Sequence, residues 1–153
     1  MLLAIVLSLS AAAGDGGAPA GMTRVPAGVV KPFFKDDPPP ATTATTTTSS
    51  GSAEAAGPVA VPIDVAAFDL DVSPVTTEAF VAFLRAHPAW RRSRAKRTFV
   101  DAGYLSTWVG DLHPGARNPP RSPVTQVSWF AARAFCAAQG KRLPTTAEWE
   151  RAL

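Results

Sequence analysis

Apolar and polar positions alternate with a period of two through Val59, Val61, Ile63 and Val65, and the alternation resumes in the opposite phase at Phe68, Leu70 and Val72. Half-buried strands give this pattern, and the change of phase demands a slip of one residue near Ala66 and Ala67, through a bulge or a tight bend. Pro62 has no N–H and falls on the other face, which suits an edge strand. Asp69 and Asp71 alternate with the apolar residues and are expected to be solvated groups of the outer face. Upstream, Gly21 to Val30 (GMTRVPAGVV) predicts a further strand. Beyond Val72 the period lengthens. Phe80, Phe83 and Leu84 stand at i, i+3 and i+4, predicting a helix with one buried stripe, introduced by Ser73 to Thr77 and ended by His87-Pro88.

The densest signals lie in Arg121 to Leu153, RSPVTQVSWFAARAFCAAQGKRLPTTAEWERAL. Pro123 and Val124 to Val127 predict a short extended piece. Ser128 is placed to N-cap a helix running to about Gln139, and Gly140 is its C′ residue with positive φ. Lys141 and Arg142 then put positive charge near the negative end of the helix dipole. After Leu143-Pro144, Thr145 and Glu148 match the capping box of a second helix, in which Trp149 and Leu153 lie one turn apart. Glu148 is expected to cap this helix and Glu150 to face solvent. On a 100° wheel Cys136 lies beside Trp129 and Ala132, opposite a stripe of Phe130, Ala134 and Ala138. Such a helix asks for cover on both sides.

Composition trims this picture. The chain has 153 residues, of which 15 are proline, and residues 35–58 combine consecutive prolines with a threonine and serine tract. That stretch has too few large apolar groups to offset its chain entropy and reads as a flexible insertion within one domain. At the N-terminus, Leu2 to Leu9 is an apolar run followed by small residues, so residues 1–20 read as a signal peptide. The product is then expected to be secreted or periplasmic, with no stable membrane span. A net charge of +3 does not argue for nucleic acid. Arg85 to Arg97 holds six basic residues and no acid. It is read as a solvated loop, because no nucleic-acid-binding pattern surrounds it. Tyr104, Leu105 and Trp108 are expected as loop aromatics and aliphatics packed on the core. His87 and His113, each isolated before a proline, make a poor metal site.

The wording M-x-x-VPAG, PVT-x-x-x-F-x-x-F, PV-x-x-VSW, then an alanine-rich helix carrying Cys136, then GKRLPTTAEWE resembles the sulfatase-modifying factor family, whose best-known members are the formylglycine-generating enzymes. The signature falls on Ser128, Trp129, Cys136, Gly140, Arg142, Leu143, Pro144, Thr145, Glu148, Trp149 and Glu150. Thr77, Phe135 and Thr146 stand where the family usually has asparagine, tyrosine and an acid. The resemblance implies an α+β fold over residues 21–153, a partial C-type-lectin-like fold of the formylglycine-generating enzyme type with irregular loops and few short strands.

The resemblance also implies oxygen-dependent oxidation of a cysteine or related thiol, with copper held by two cysteine thiolates and with calcium in the complete domain. Thiolates select Cu(I), and one cysteine cannot supply a pair. In the family those ligands follow the RLPTEAEWE segment, so no catalytic, cofactor or metal residue is assigned in this chain. One reading is an N-terminal part of such an oxidoreductase, inactive alone, acting on a protein or peptide substrate; the other is a lectin-like binding or scaffold module. A serine or cysteine hydrolase lacks its nucleophile elbow and base. Cys136, a structural half-cystine in some members, is here either a buried free thiol or a partner in an interchain disulfide. Phe130, Phe135 and Trp149 are expected to form an exposed patch favouring self-association.

Overall fold

The computed structural model describes residues 7–8, 17–32 and 61–153. The insertion at 35–58 lies outside the described residues, as does most of the expected signal peptide. Five short strands precede three helices: β1 Leu7–Ser8, β2 Met22–Val25, β3 Gly28–Val30, β4 Ile63–Val65, β5 Phe68–Asp71, α1 Thr77–Ala86, α2 Trp129–Ala138 and α3 Thr146–Ala152, with a 3-10 turn at Pro88–Trp90. This is an α+β arrangement. Among the described residues no helix is long and apolar enough to cross a membrane.

The strands form one antiparallel ribbon broken at one level. β2 pairs with β5, Val25 opposite Phe68, and β3 pairs with β4, Gly28 opposite Val65. Pro26-Ala27 on one side and Ala66-Ala67 on the other interrupt the ladder together. The phase change expected at Ala66-Ala67 is therefore a break between two sheets, and the single strand expected over Gly21 to Val30 is two strands. Pro26 cannot donate to a ladder, which places the interruption there. β1 pairs with the free side of β5, giving the order β1-β5-β2. Both sheets turn Val25, Val30, Val65 and Phe68 inward, and α3 covers them with Ala147 and Ala152.

Asp69 and Asp71 are not the solvated groups that alternation suggested. Asp69 is 3% exposed and accepts from Arg24, its cross-strand neighbour, at 3.0 Å, while Asp71 accepts from Lys141 Nζ at 2.7 Å. Alternation reports one sheet face; it does not show that a later segment will cover the other. A buried carboxylate persists only when paired.

The larger core lies between α1, α2 and the loop 99–127. Phe80, Phe83 and Leu84 of α1 are buried as their spacing requires, against Tyr104, Leu105, Trp108 and Val124 from the loop and Ala131, Phe135 and Cys136 from α2. Thr76 caps α1 by accepting from Ala79 N–H at 3.2 Å. The segment before α2 runs beside the start of α1, Val124 N–H donating to Val75 at 2.9 Å and Thr77 N–H to Ser122 at 2.9 Å. The extended piece expected over Val124 to Val127 shrinks to one bridge at Pro123, because Gln126 is left-handed, with φ 58°, and takes the chain out of strand geometry.

The buried face of α2 is Ala131, Phe135 and Cys136, and of the two sides that ask for cover the one with Phe130 stays 43% exposed. Alanine and aromatic residues surround this helix, so its hydrophobicity does not choose a side; the aromatic rings of α1 do. Phe135 therefore leaves the exposed patch expected of it, whereas Phe130 and Trp149 remain exposed.

Candidate functional site

The signature residues fall at the two ends of α2 and at the start of α3. Ser128 caps α2 by accepting from Ala131 N–H at 3.2 Å. At its other end Gly140 has φ 67°, its N–H donating to Ala137 O at 3.1 Å and Lys141 N–H to Cys136 O at 2.9 Å. That double closure is the Schellman arrangement, and it needs a residue tolerant of positive φ at its centre. Lys141 then reaches Asp71 on β5, tying the end of α2 to the sheet. Arg142 turns the other way.

Arg142 grips Glu148 with two parallel bonds, Nη1 to Oε2 at 2.7 Å and Nη2 to Oε1 at 2.5 Å, and donates also to Leu143 O at 3.0 Å. Glu148 Oε2 accepts from Thr145 N–H at 2.7 Å while Thr145 Oγ1 accepts from Glu148 N–H at 3.2 Å. The expected capping box is present, and Arg142 closes it into a buckle across Leu143-Pro144. The Arg142 guanidinium, followed by the Thr145 donors, holds the Glu148 carboxyl down at about 2 against its ordinary 4.5. Glu150 is half-buried, not facing solvent as expected. Arg151 lies in the same helix turn, its guanidinium so close over Gly28 that a Cβ there would sit 2.6 Å from Nε. Leu153 stands beyond the end of α3 and is exposed, so it shares no packed face with Trp149.

Cys136 sits 1% exposed in the larger core. Burial first, and the Asp71 carboxylate next, push its thiol up to about 11. A thiol so placed meets no second chain without unfolding, which removes the interchain disulfide and leaves the buried free thiol. We expect Cys136 to resist an aromatic disulfide reagent in the folded chain at pH 8 and to react fully in denaturant; rapid stoichiometric reaction of the folded chain would contradict this placement.

The basic run divides. Arg91 Nε donates to Leu84 O at 3.1 Å, and Arg92 Nη1 to Leu105 O at 3.2 Å and Trp108 O at 2.9 Å. Arg91 thereby ties the run to α1 and Arg92 ties it to the following loop, while Arg92 itself stays exposed, as expected of a solvated run. Ser93 adds a clasp, its N–H donating to Asp111 Oδ1 at 2.9 Å and its hydroxyl to Oδ2 at 2.5 Å. These bonds hold the Asp111 carboxyl below its usual range. Arg94, Lys96 and Arg97 stay exposed.

Beside them is a cleft of about 700 Å³ lined by Arg97, Phe99, Gln126, Ser128, Trp129 and Phe130 among others. Left-handed Gln126 forms part of its wall. Its backbone carbonyl accepts from left-handed Leu105 at 2.8 Å, and its side chain accepts from Ser106 Oγ and Thr107 N–H, both at 3.0 Å. No local pattern announced this clasp, whose partners are twenty residues apart, nor the Arg24–Asp69 pair. Only the positions of the glutamine and the arginine were legible.

The thiolate pair implied for copper does not fit the residues present. The chain offers one thiol, and it is buried and protonated. Among the described residues no three histidine, cysteine or acidic side chains converge on a common point; Asp69, Asp71, Asp111 and Glu148 each serve a separate pairing.

Residues 20–153 match the sulfatase-modifying factor enzyme 1-like domain. Inactive C-alpha-formylglycine-generating enzyme 2 of Bos taurus is 32% identical over 123 residues, covering 63% of this chain and 40% of that protein. Hercynine oxygenase of Mycolicibacterium thermoresistibile is 34% identical over 105 residues, covering 59% of this chain and 23% of the relative. A shorter match to the formylglycine-generating enzyme of Bos taurus reaches 61% identity over 31 residues, 20% of this chain and 8% of that one. The chain thus spans less than half the length of these relatives. No solved structure matches it.

Proposed function

The chain belongs to the sulfatase-modifying factor enzyme 1-like domain family, and from that premise we propose that it forms the structural framework of a formylglycine-generating-enzyme-like unit, of the C-type-lectin-like kind, without carrying the thiol-oxidising chemistry itself. The observation that carries this reading is the single cysteine, 1% exposed and protonated at neutral pH. Copper(I) of the family kind needs two accessible thiolates close together, so its ligands would have to come from residues other than these. What the chain supplies is placement. The Lys141–Asp71 tie, the Arg142–Glu148 buckle and the glycine closure at Gly140 fix α2 and α3 against the two sheets.

The test incubates the folded chain with copper(I) under competition from a chromophoric chelator, then follows oxygen uptake with a cysteine-containing peptide. We expect no stoichiometric capture of copper and no oxygen uptake above that of the peptide alone. Turnover, or one copper held per chain against the chelator, would overturn the proposal.

A further inference from the structure

The cleft beside the first turn of α2 has an aromatic floor and a cationic rim. Phe99, Trp129 and Phe130 leave 38%, 52% and 43% of their surface exposed, although Phe130 packs on both of the others at ring distances of 5.2 Å. Their exposure is therefore that of an ordered, adjoining cluster, not of loose side chains, and such patches mark contact surfaces. Arg97 lines the cleft, and the Arg133 guanidinium lies 5.6 Å from the Trp129 ring. Arg97 is the member of the basic run that lines the cleft, whereas Arg91 and Arg92 are engaged by backbone carbonyls. Asp101 is the one carboxylate lining the cleft, and it already accepts from Gly103 N–H at 2.8 Å. The bonds of Gln126 to Leu105, Ser106 and Thr107 hold this part of the lining in place before anything binds, which lowers the ordering cost of association.

We propose that this cleft docks an acidic peptide segment through one aromatic anchor, the anchor ring lying against Trp129 and Phe130 and its flanking carboxylates meeting Arg97 and Arg133. A peptide is favoured over a nucleic acid because the rings stand at 86° and 59° to one another. Successive bases require faces laid out along a track, whereas one inserted side chain suits a cluster of crossed rings. The proposal does not rest on thiol chemistry, so copper capture leaves it untouched.

The test titrates the full chain into a fluorescein-labelled peptide with a single central phenylalanine flanked by glutamates, followed by anisotropy at low salt. Binding in the micromolar range is expected. Arg97→Glu and Trp129→Ala should each weaken it about tenfold, and replacing the peptide's phenylalanine by alanine should do the same. Arg85→Glu, a reversal in the same run but outside the cleft, should change affinity less than about twofold. Both cleft residues are exposed, so neither change removes core packing. Absence of binding by the unmodified chain, equal losses from Arg85→Glu and Arg97→Glu, or tighter binding of a single-stranded oligonucleotide than of the peptide would each overturn the proposal.

Discussion

Phe80→Ala is expected to lower the stability of the folded chain by about 4 kcal/mol, read from urea unfolding followed by tryptophan fluorescence. Phe80 is 1% exposed and is the ring on which three parts of the larger core meet. It packs on Phe83 at 5.4 Å within α1, on Trp108 at 6.4 Å from the loop, and on Phe135 at 5.7 Å from α2. Truncation removes the transfer energy of a whole ring and leaves a cavity that two helices and a hydrogen-bonded loop cannot close. Domains of this size keep roughly 5–15 kcal/mol in all, so the loss is a large share of the total. Phe130→Ala, on the exposed face of α2, should cost no more than about 1 kcal/mol. If the two variants unfolded at the same urea concentration, the assignment of the inward face of α2 would fail.

That contrast marks how far the sequence could be read. The spacing of Phe80, Phe83 and Leu84 identified the inner face of α1, because only one side of that helix carries large apolar groups. α2 offered no such asymmetry, and the wheel, apolar on both sides, did not choose between them. What decides is the aromatic cluster on α1 and the loop, reached through contacts with residues about fifty positions earlier. End signals were legible wherever the chemistry is local. Ser128, Gly140, Thr145 and Glu148 act within four residues of themselves, and each stands in its expected role. Asp69, Asp71, Arg92 and Asp111 act across long separations, which periodicity does not encode.

The site divides in the same way. The family signature could be read because it consists mainly of local closures: a cap, a left-handed glycine and a buckle. The cleft could not, since it is assembled from residues 97–103 and 125–130 and depends on the left-handed conformations of Leu105 and Gln126. No residue type in those positions requires positive φ, and the conformation there follows from the bond between the two backbones and the Gln126 side chain. The basic run was visible as composition, but its division between Arg91 and Arg92 on one hand and Arg97 on the other emerges only from which carbonyls lie within reach.

Glu148→Gln is expected to cost about 2 kcal/mol at pH 7 and to remove part of the chain's sensitivity to acid. α3 has seven residues, too few to persist on helix propensity, so it depends on its cap and on packing. The Glu148 side chain is 13% exposed and that of Arg142 36%. Glutamine preserves the size but presents at best one acceptor to a guanidinium that now binds both oxygens. The gap between the ordinary 4.5 and about 2 sets a ceiling of roughly 3 kcal/mol, and solvent reaching Arg142 draws the expectation below it. The sign follows from the lowered value. The stabilisation is fully present above 4.5, where the carboxyl would be ionised even in the unfolded chain. It is lost as pH falls from 4.5 towards 2, where protonation releases Arg142 and the Thr145 N–H. Unfolding midpoints measured from pH 7 down to 2 should therefore fall more steeply for the unmodified chain than for Glu148→Gln, and the two curves should converge near pH 2. Asp111, held low by Ser93, contributes acid sensitivity common to both and cannot produce the difference. Parallel curves over that range would mean that the buckle between Arg142 and Glu148 carries no stability in solution.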